Sequence, residues 1–279
     1  MDAAKTVAAN FAVNVVVPPS VAGSANFTGL WWNDRESGWG VNFNHQGDTL
    51  FGTLFTYAAD GKGLWLVMSA GVKQADGSFL GELYQTTGSA FSATPFVPLT
   101  GANVKKVGDM RVTFTSASTA TLRYDVNGIT VSKAITPQVF STPTVCTSEA
   151  IATSRAGSVN YQDLWWNPAE SGWGVNLTHQ GTTLFATLFI YEAGGRDFWL
   201  VMSDGKRQAN GSFTGDLFRT GGPAFNASPF VGITVAPVGI MTFTFQSGTS
   251  GTLVYTVNGV TITKQIQRQV FGNLIPICK

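Results

Sequence analysis

Charge is scarce in this chain: Asp, Glu, Lys and Arg make up only 12% of its 279 residues, and the net charge is +1. Without a basic stripe or an acidic tail, nucleic acid and anionic membrane surfaces are not expected partners. Apolar runs of the roughly 20 residues a helix needs to span a bilayer are missing, so no membrane span is expected. No signal-peptide pattern follows Met1, which leads directly into Asp2-Ala3-Ala4-Lys5. Histidine and cysteine occur only twice each. One histidine per half falls short of the three or four ligands of a zinc centre, so neither metal nor cofactor is expected. No Gly-x-Ser-x-Gly elbow, His-Glu-x-x-His helix or phosphate-cradling glycine loop occurs. Long Leu/Glu/Lys stretches are absent too, and nothing reads as a helix of any length.

What the chain does have is itself, twice. Leu30-Trp31-Trp32-Asn33 and Glu36-Ser37-Gly38-Trp39-Gly40-Val41-Asn42 recur as Leu164-Trp165-Trp166-Asn167 and Glu170-Ser171-Gly172-Trp173-Gly174-Val175-Asn176. Laid on each other, 29–97 on 163–231 and 110–140 on 241–271, the copies share 60 of 100 positions. The first copy carries three extra residues between Val97 and Met110. Units of this size can each close a core, which suggests an N-terminal extension over 1–28, a first repeat over 29–145 and a second over 146–279. Two such units are expected to superpose, to meet through a modest interface and to fold independently.

Turn dipeptides mark hairpins at matching places: Gln46-Gly47, Asp60-Gly61, Asp76-Gly77 and Asn127-Gly128, then Gln180-Gly181, Gly194-Gly195, Asn210-Gly211 and Asn258-Gly259. Between them lie segments of strand length, seven or eight per copy. The fold expected is all-β: two homologous antiparallel meander β-barrels, or sandwiches, in tandem, closed to remove their edges. The stretch Thr87–Gly108 is the one long connection, expected to cover a barrel end or to cross over. In the strands after Gly38 and Gln46 both faces carry apolar residues, so the outer face must pack on the other unit or line an aromatic pocket.

The duplicated aromatic run carries the functional signal. Neighbouring indoles in extended backbone point to opposite faces, so Trp31 and Trp32 cannot both enter one core, nor can Trp165 and Trp166. Tryptophan offers a rigid apolar face and one N–H donor, suited either to plugging a barrel or to stacking on a sugar. The candidate binding set is Trp31, Trp32, Asn33, Glu36, Trp39, Asn42 and Trp65, with Trp165, Trp166, Asn167, Glu170, Trp173, Asn176 and Trp199. Glu36 and Glu170 persist while the residues before them change, Asp34-Arg35 becoming Pro168-Ala169. Such a carboxylate either fixes its loop or acts on a ligand. Paired with Glu82, or with Asp216 in the second copy, it would give a two-carboxylate hydrolase. His45 and His179 are read as capping a strand at the Gln-Gly turn.

These segments, with His-Gln-Gly, Trp-Leu-Val-Met-Ser and Gln-Val-Phe followed by Cys, resemble a module found singly or in tandem in secreted proteobacterial proteins. The resemblance covers nearly all of 29–278 and implies a place beside other domains of a larger secreted protein, at the surface of or outside a Gram-negative bacterium. It implies no activity. Lys5-Thr6-Val7-Ala8-Ala9-Asn10-Phe11 resembles the closing strand of internalin-type extracellular repeats, with 18–24 as a linker. The function expected is a non-catalytic binding or adhesion module with paired aromatic sites for a carbohydrate or other extracellular polymer. Its rivals are a lipocalin- or avidin-like barrel enclosing a small apolar ligand, the carboxylate-pair hydrolase and a structural spacer.

Cys146 and Cys278 follow Phe140 and Phe271 by six and seven residues, the same place in each copy. In a closed meander the end of a unit returns to its beginning, which predicts a Cys146–Cys278 disulfide stapling the second unit. For a closed loop of this length, chain entropy puts its worth at roughly 4–5 kcal/mol.

Overall fold

The computed structural model describes residues 25–279, so the internalin-like segment and its linker lie outside the described residues. Among the described residues eighteen strands follow one another, with one 3-10 turn at Gly101–Asn103. The first barrel comprises β1 (Gly29–Asn33), β2 (Glu36–Gln46), β3 (Thr49–Tyr57), β4 (Gly63–Lys73), β5 (Phe79–Thr86), β6 (Val104–Phe114), β7 (Ala120–Val126) and β8 (Ile129–Pro137). Each strand pairs antiparallel with the next, and β1 also pairs with β8 through Trp32 and Thr136, closing the barrel. The second barrel repeats this with β10 (Asp163–Trp166), β11 (Gly174–Gln180), β12 (Thr183–Tyr191), β13 (Asp197–Arg207), β14 (Phe213–Gly221), β15 (Thr234–Phe245), β16 (Ser250–Val257) and β17 (Val260–Arg268). The all-β tandem of closed meanders read from the sequence is therefore correct. The three extra residues are absorbed between β5 and β6: Thr86 pairs with Val104 where Thr220 pairs with Val235.

Period-two alternation fills the interiors. Val41, Phe43, Leu50, Leu54, Leu66, Met68, Leu83, Met110 and Leu122 are wholly buried in the first barrel, and Val175, Leu188, Leu200, Met202, Leu217, Met241 and Leu253 in the second. A packed interior leaves no lumen of lipocalin type.

The outer faces explain why both sides of β2 and β3 are apolar or amide-bearing: the barrels bury them against each other. Asn44 Nδ2 donates to Asn176 Oδ1 at 2.8 Å, and Asn176 Nδ2 to Thr53 Oγ1 at 3.3 Å. Trp65 Nε1 donates to the Ile190 carbonyl at 3.1 Å, and its counterpart Trp199 Nε1 donates to that of Thr56 at 3.0 Å. Gln46 Nε2 reaches the Gln269 carbonyl, Gln180 Nε2 that of Gln138, each at 2.8 Å. The amide oxygens of the same glutamines accept from the backbone N–H of Phe271 and Phe140. His-Gln-Gly and Gln-Val-Phe, remote in sequence, are thus two halves of one inter-barrel clamp. The tryptophan and glutamine contacts are reciprocated, the mark of an isologous, twofold arrangement within one chain, whereas Asn44 is answered by Thr178, whose hydroxyl has no hydrogen-bond partner.

The long loops are also exchanged. The connection after β5 reaches the second barrel, where Phe91 packs on Phe198 and Tyr255 and Phe96 joins the core. The connection after β14 answers it, with Phe225 against Tyr124 and Phe230 in the first barrel's core. Backbone bonds tie both down, Phe91 N to the Tyr191 carbonyl at 2.8 Å and Phe225 N to that of Tyr57 at 2.9 Å. The expected barrel-end cover exists, but each loop covers the other barrel's end. The modest interface expected from the sequence is accordingly replaced by an extensive one, because each unit completes its partner's core.

Two further strands, β9 (Cys146–Ala150) and β18 (Leu274–Cys278), form a separate antiparallel pair that sets Cys146 opposite Cys278. The disulfide is present, with Cα atoms 4.0 Å apart. Its setting differs from a staple on the second unit alone. Ala25 bridges to Thr147, Asn26 Nδ2 donates to Ser148 Oγ, and Gln162 Nε2 bonds both the Thr28 carbonyl and Cys146 Sγ. The two-stranded sheet therefore lies across the seam and ties to both barrels. One buried cluster of charges also departs from the symmetry. Asp163 accepts from Arg155 at 2.5 Å and Arg268 at 3.1 Å, a buried cluster where the first copy has Gly29 and Pro137.

Candidate functional site: two clefts at the seam

Opposite-facing neighbours divide the tryptophan pairs. Trp31 and Trp165 point inward, where their indole N–H groups donate to the carbonyls of Phe27 and Tyr161 at 3.2 and 2.9 Å. These two are core, not ligand surface. Trp32 and Trp166 point outward, half-buried, and each lines a cleft between the barrels.

Cleft A, of about 400 Å³, takes Leu30, Trp32 and Trp39 from the first barrel and Phe185, Trp199 and Val201 from the second. Cleft B, of about 320 Å³, takes Trp166 and Trp173 from the second barrel and Phe51, Trp65 and Val67 from the first. Each therefore has three indoles, Trp32 or Trp166 half-buried and the other two buried behind it, and position by position they are the same site related by the twofold. Neither barrel alone has either cleft. The polar lining is Ser37, Gln138, Thr187, Ser203 and Thr220 in A, and Ser69, Tyr84, Thr86, Ser171 and Gln269 in B. No Asp, Glu, Lys, Arg or His is among the described lining residues of either cleft. The Trp166 indole N–H, beside cleft B, has no hydrogen-bond partner, an open donor where buried donors are normally satisfied.

The Glu-Ser-Gly-Trp-Gly segment builds one wall of each cleft, and its parts have distinct duties. Glu36 accepts the Trp39 indole N–H at 3.1 Å and pairs with Lys133 at 2.7 Å. Glu170 does the same with Trp173 and Lys264, at 3.1 and 2.7 Å. The lysines lie 5.9 Å from the Phe230 ring and 5.1 Å from the Phe96 ring, aromatic caps sent by the other barrel. Each carboxylate is thereby neutralised and spent on orienting an indole. Gly38 and Gly172 have φ of 98° and 116°, open to glycine but strained for other residues. A Cβ there would also stand 2.5 Å from Ile233 or 2.3 Å from Leu99, side chains of the exchanged loops. Tyr57 and Tyr191 lock the same turns by donating to the Gly38 and Gly172 carbonyls, each at 2.6 Å. Burial pushes the Tyr57 phenol up to about 12.

The remaining candidates scatter. Asn33 and Asn167 accept from Arg35 and Ala169 N–H, fixing exposed turns. Asn42 and Asn176 serve the seam, Asn42 accepting from Thr187 at 3.5 Å. Glu82, exposed, pairs with Lys106 and accepts from Tyr84, and lysine bonding holds it below the ordinary carboxylate range. Asp216 is exposed as well. Glu36 and Glu82 thus each have their own lysine, and no described hydrogen bond or ion pair joins them. His45 and His179 accept the Phe27 and Tyr161 backbone N–H at Nδ1 and bond Gly47 and Gly181 at the Gln-Gly turns, as read from the sequence. Burial lowers both to about 4, so they are neutral at pH 7.

Sequence reading missed Phe51 with Phe185, Gln138 with Gln269, and Lys133 with Lys264. All are identical in the two copies, so the duplication itself held the signal. Among the described residues no group of three or more His, Cys, Asp or Glu could hold a metal. Compared with family models, curated proteins and solved structures, the chain shows no match.

Proposed function

We propose that this chain is a secreted or cell-surface binding module that takes an uncharged carbohydrate, or another neutral extracellular polymer, in its two seam clefts. The observation that carries the reading is the lining: one half-buried indole per cleft, Trp32 or Trp166, backed by two buried ones, with hydroxyl and amide groups and no ionised side chain. Sugar rings present apolar C–H faces to indoles and hydroxyls that both donate and accept, which Ser, Thr and Gln side chains match. A charged ligand would be desolvated there without a counter-ion, at a cost of several kcal/mol. Volumes of about 320 and 400 Å³ fall in the range of small-ligand sites and suit one or two rings. The disulfide is compatible with an oxidising compartment, and no described helix is long and apolar enough to cross a membrane.

The barrel interiors are packed, so an apolar ligand enclosed in a lumen has no support, and the neutralised Glu36 and Glu170 give none to a carboxylate-pair hydrolase. A glycan array containing neutral and uronate-bearing polymers tests the reading. Wild-type protein is expected to bind within the neutral set, and Trp32→Ala with Trp166→Ala to abolish that signal while near-ultraviolet circular dichroism stays native-like apart from the lost indoles. Selective binding to acidic glycans would count against it.

A further inference from the structure

The symmetry of the clefts decides how a polymer can use them, and on the reading above we infer that this chain cross-links two neutral glycan chains rather than running along one. A tandem repeat related by translation would offer successive units of one extended polymer the same site in the same sense. Here the relation is twofold. Trp65 Nε1 bonds the Ile190 carbonyl while Trp199 Nε1 bonds that of Thr56, and Gly88 N bonds the Gly195 carbonyl while Gly222 N bonds that of Gly61. An exchange of this kind requires a half-turn between the copies. A glycan has a direction, from reducing to non-reducing end. A straight chain that passes through both clefts crosses the twofold axis, and the half-turn reverses its direction there, so one straight chain cannot fill both in the same way. Two antiparallel chains, or two separate ends, can. Both clefts are complete within one polypeptide, so bridging needs no oligomer. Duplication then confers bivalency between polymers instead of avidity along one.

Beads coated separately with glycogen, galactomannan and arabinoxylan test this, with full-length protein shown to be monomeric by light scattering. Wild type is expected to bind and agglutinate at least one bead type. Trp32→Ala and Trp166→Ala, each blocking one cleft, should still bind but lower the agglutination titre at least tenfold. Val235→Trp and Gly101→Trp, which crowd the exposed rims of clefts A and B, should do the same without removing a packed indole. Beads that bind protein yet stay dispersed, or single variants that agglutinate like wild type, would overturn the cross-linking inference alone. No binding to any bead type, or full binding by the Trp32→Ala/Trp166→Ala double variant, would overturn the binding reading beneath it.

Discussion

Phe55 and Phe189 occupy the same position in the two repeats and touch each other, ring centroids 6.2 Å apart. Contact between equivalent residues places them beside the twofold axis, and each also lines one cleft, Phe55 in A and Phe189 in B. The walls of the clefts and the centre of the inter-barrel packing are therefore the same side chains, which ties binding to assembly of the whole chain.

The exchanged loops make the repeats interdependent. Residues 150–279 expressed alone would lose Phe91 and Phe96 from the barrel end and expose the Trp199 face. We expect that fragment to lack a cooperative monomeric transition and to self-associate, while the full chain unfolds in a single calorimetric transition. A monomeric fragment melting cooperatively near the full-length midpoint would restore independent domains.

Hairpin rhythm was the legible part of this fold. Asn127-Gly128 and Asn258-Gly259 adopt the positive φ values that their turn type demands, and local pattern places strands well. It placed the start of β6 near residue 109 rather than Val104, because a bulge at Val107, opposite Leu83 and Tyr84, breaks the alternation of β6. The exchange was not legible, because Phe91 and Phe96 sit in a loop whose periodicity is silent about which barrel receives them. Asn42 and Asn44 look like solvent-facing alternates of a strand; only the second barrel's approach makes them buried. The sequence predicted the Cys146–Cys278 bridge between segments 132 residues apart, but not that those segments pair as strands β9 and β18. In the candidate site, the sequence placed the two indoles of each pair on opposite faces without saying which faced out, and it left Glu36 and Glu170 open between fixing the loop and meeting a ligand, because their lysines lie on a strand nearly 100 residues away.

Gln46 is fully buried and its side chain makes three bonds to the other barrel's tail. Replacing it by Ala leaves a carbonyl and two N–H groups unpaired, so Gln46→Ala should destabilise the chain by roughly 2–4 kcal/mol. Urea denaturation reads this as a lower midpoint. The exposed-site control Gln208→Ala should change stability by less than about 0.5 kcal/mol.

The buried histidines set an acid limit. Their folded pKa of about 4 lies below the ordinary 6.5, so between these values the unfolded state binds more protons and stability rises with pH. Going down in pH, stability is lost from about 6.5 to about 4, by roughly 3 kcal/mol per histidine at most. Asp197, whose carboxyl is raised by burial, acts with the opposite sign at the acid end. Denaturation midpoints measured across pH 4–7 should show the slope, and His45→Gln/His179→Gln should flatten it.

Disulfide reduction should loosen the seam as well as the chain end. Because β9 and β18 bond to Asn26 and Gln162, and Gln162 in turn to Thr28, Cys146→Ser/Cys278→Ser is expected to lose up to about 4–5 kcal/mol and to speed amide exchange at Asn26 and Thr28 beside the first barrel. Protection unchanged in the first barrel would return the bridge to the second unit alone.

The central claim is two equivalent neutral-ligand sites shared by both barrels, and calorimetric titration tests it most directly. With a neutral oligosaccharide taken from the array, wild type should bind two molecules per chain, Trp32→Ala one, Trp166→Ala one, and the double variant none. A stoichiometry of one for wild type, or binding that survives the double substitution, would contradict it.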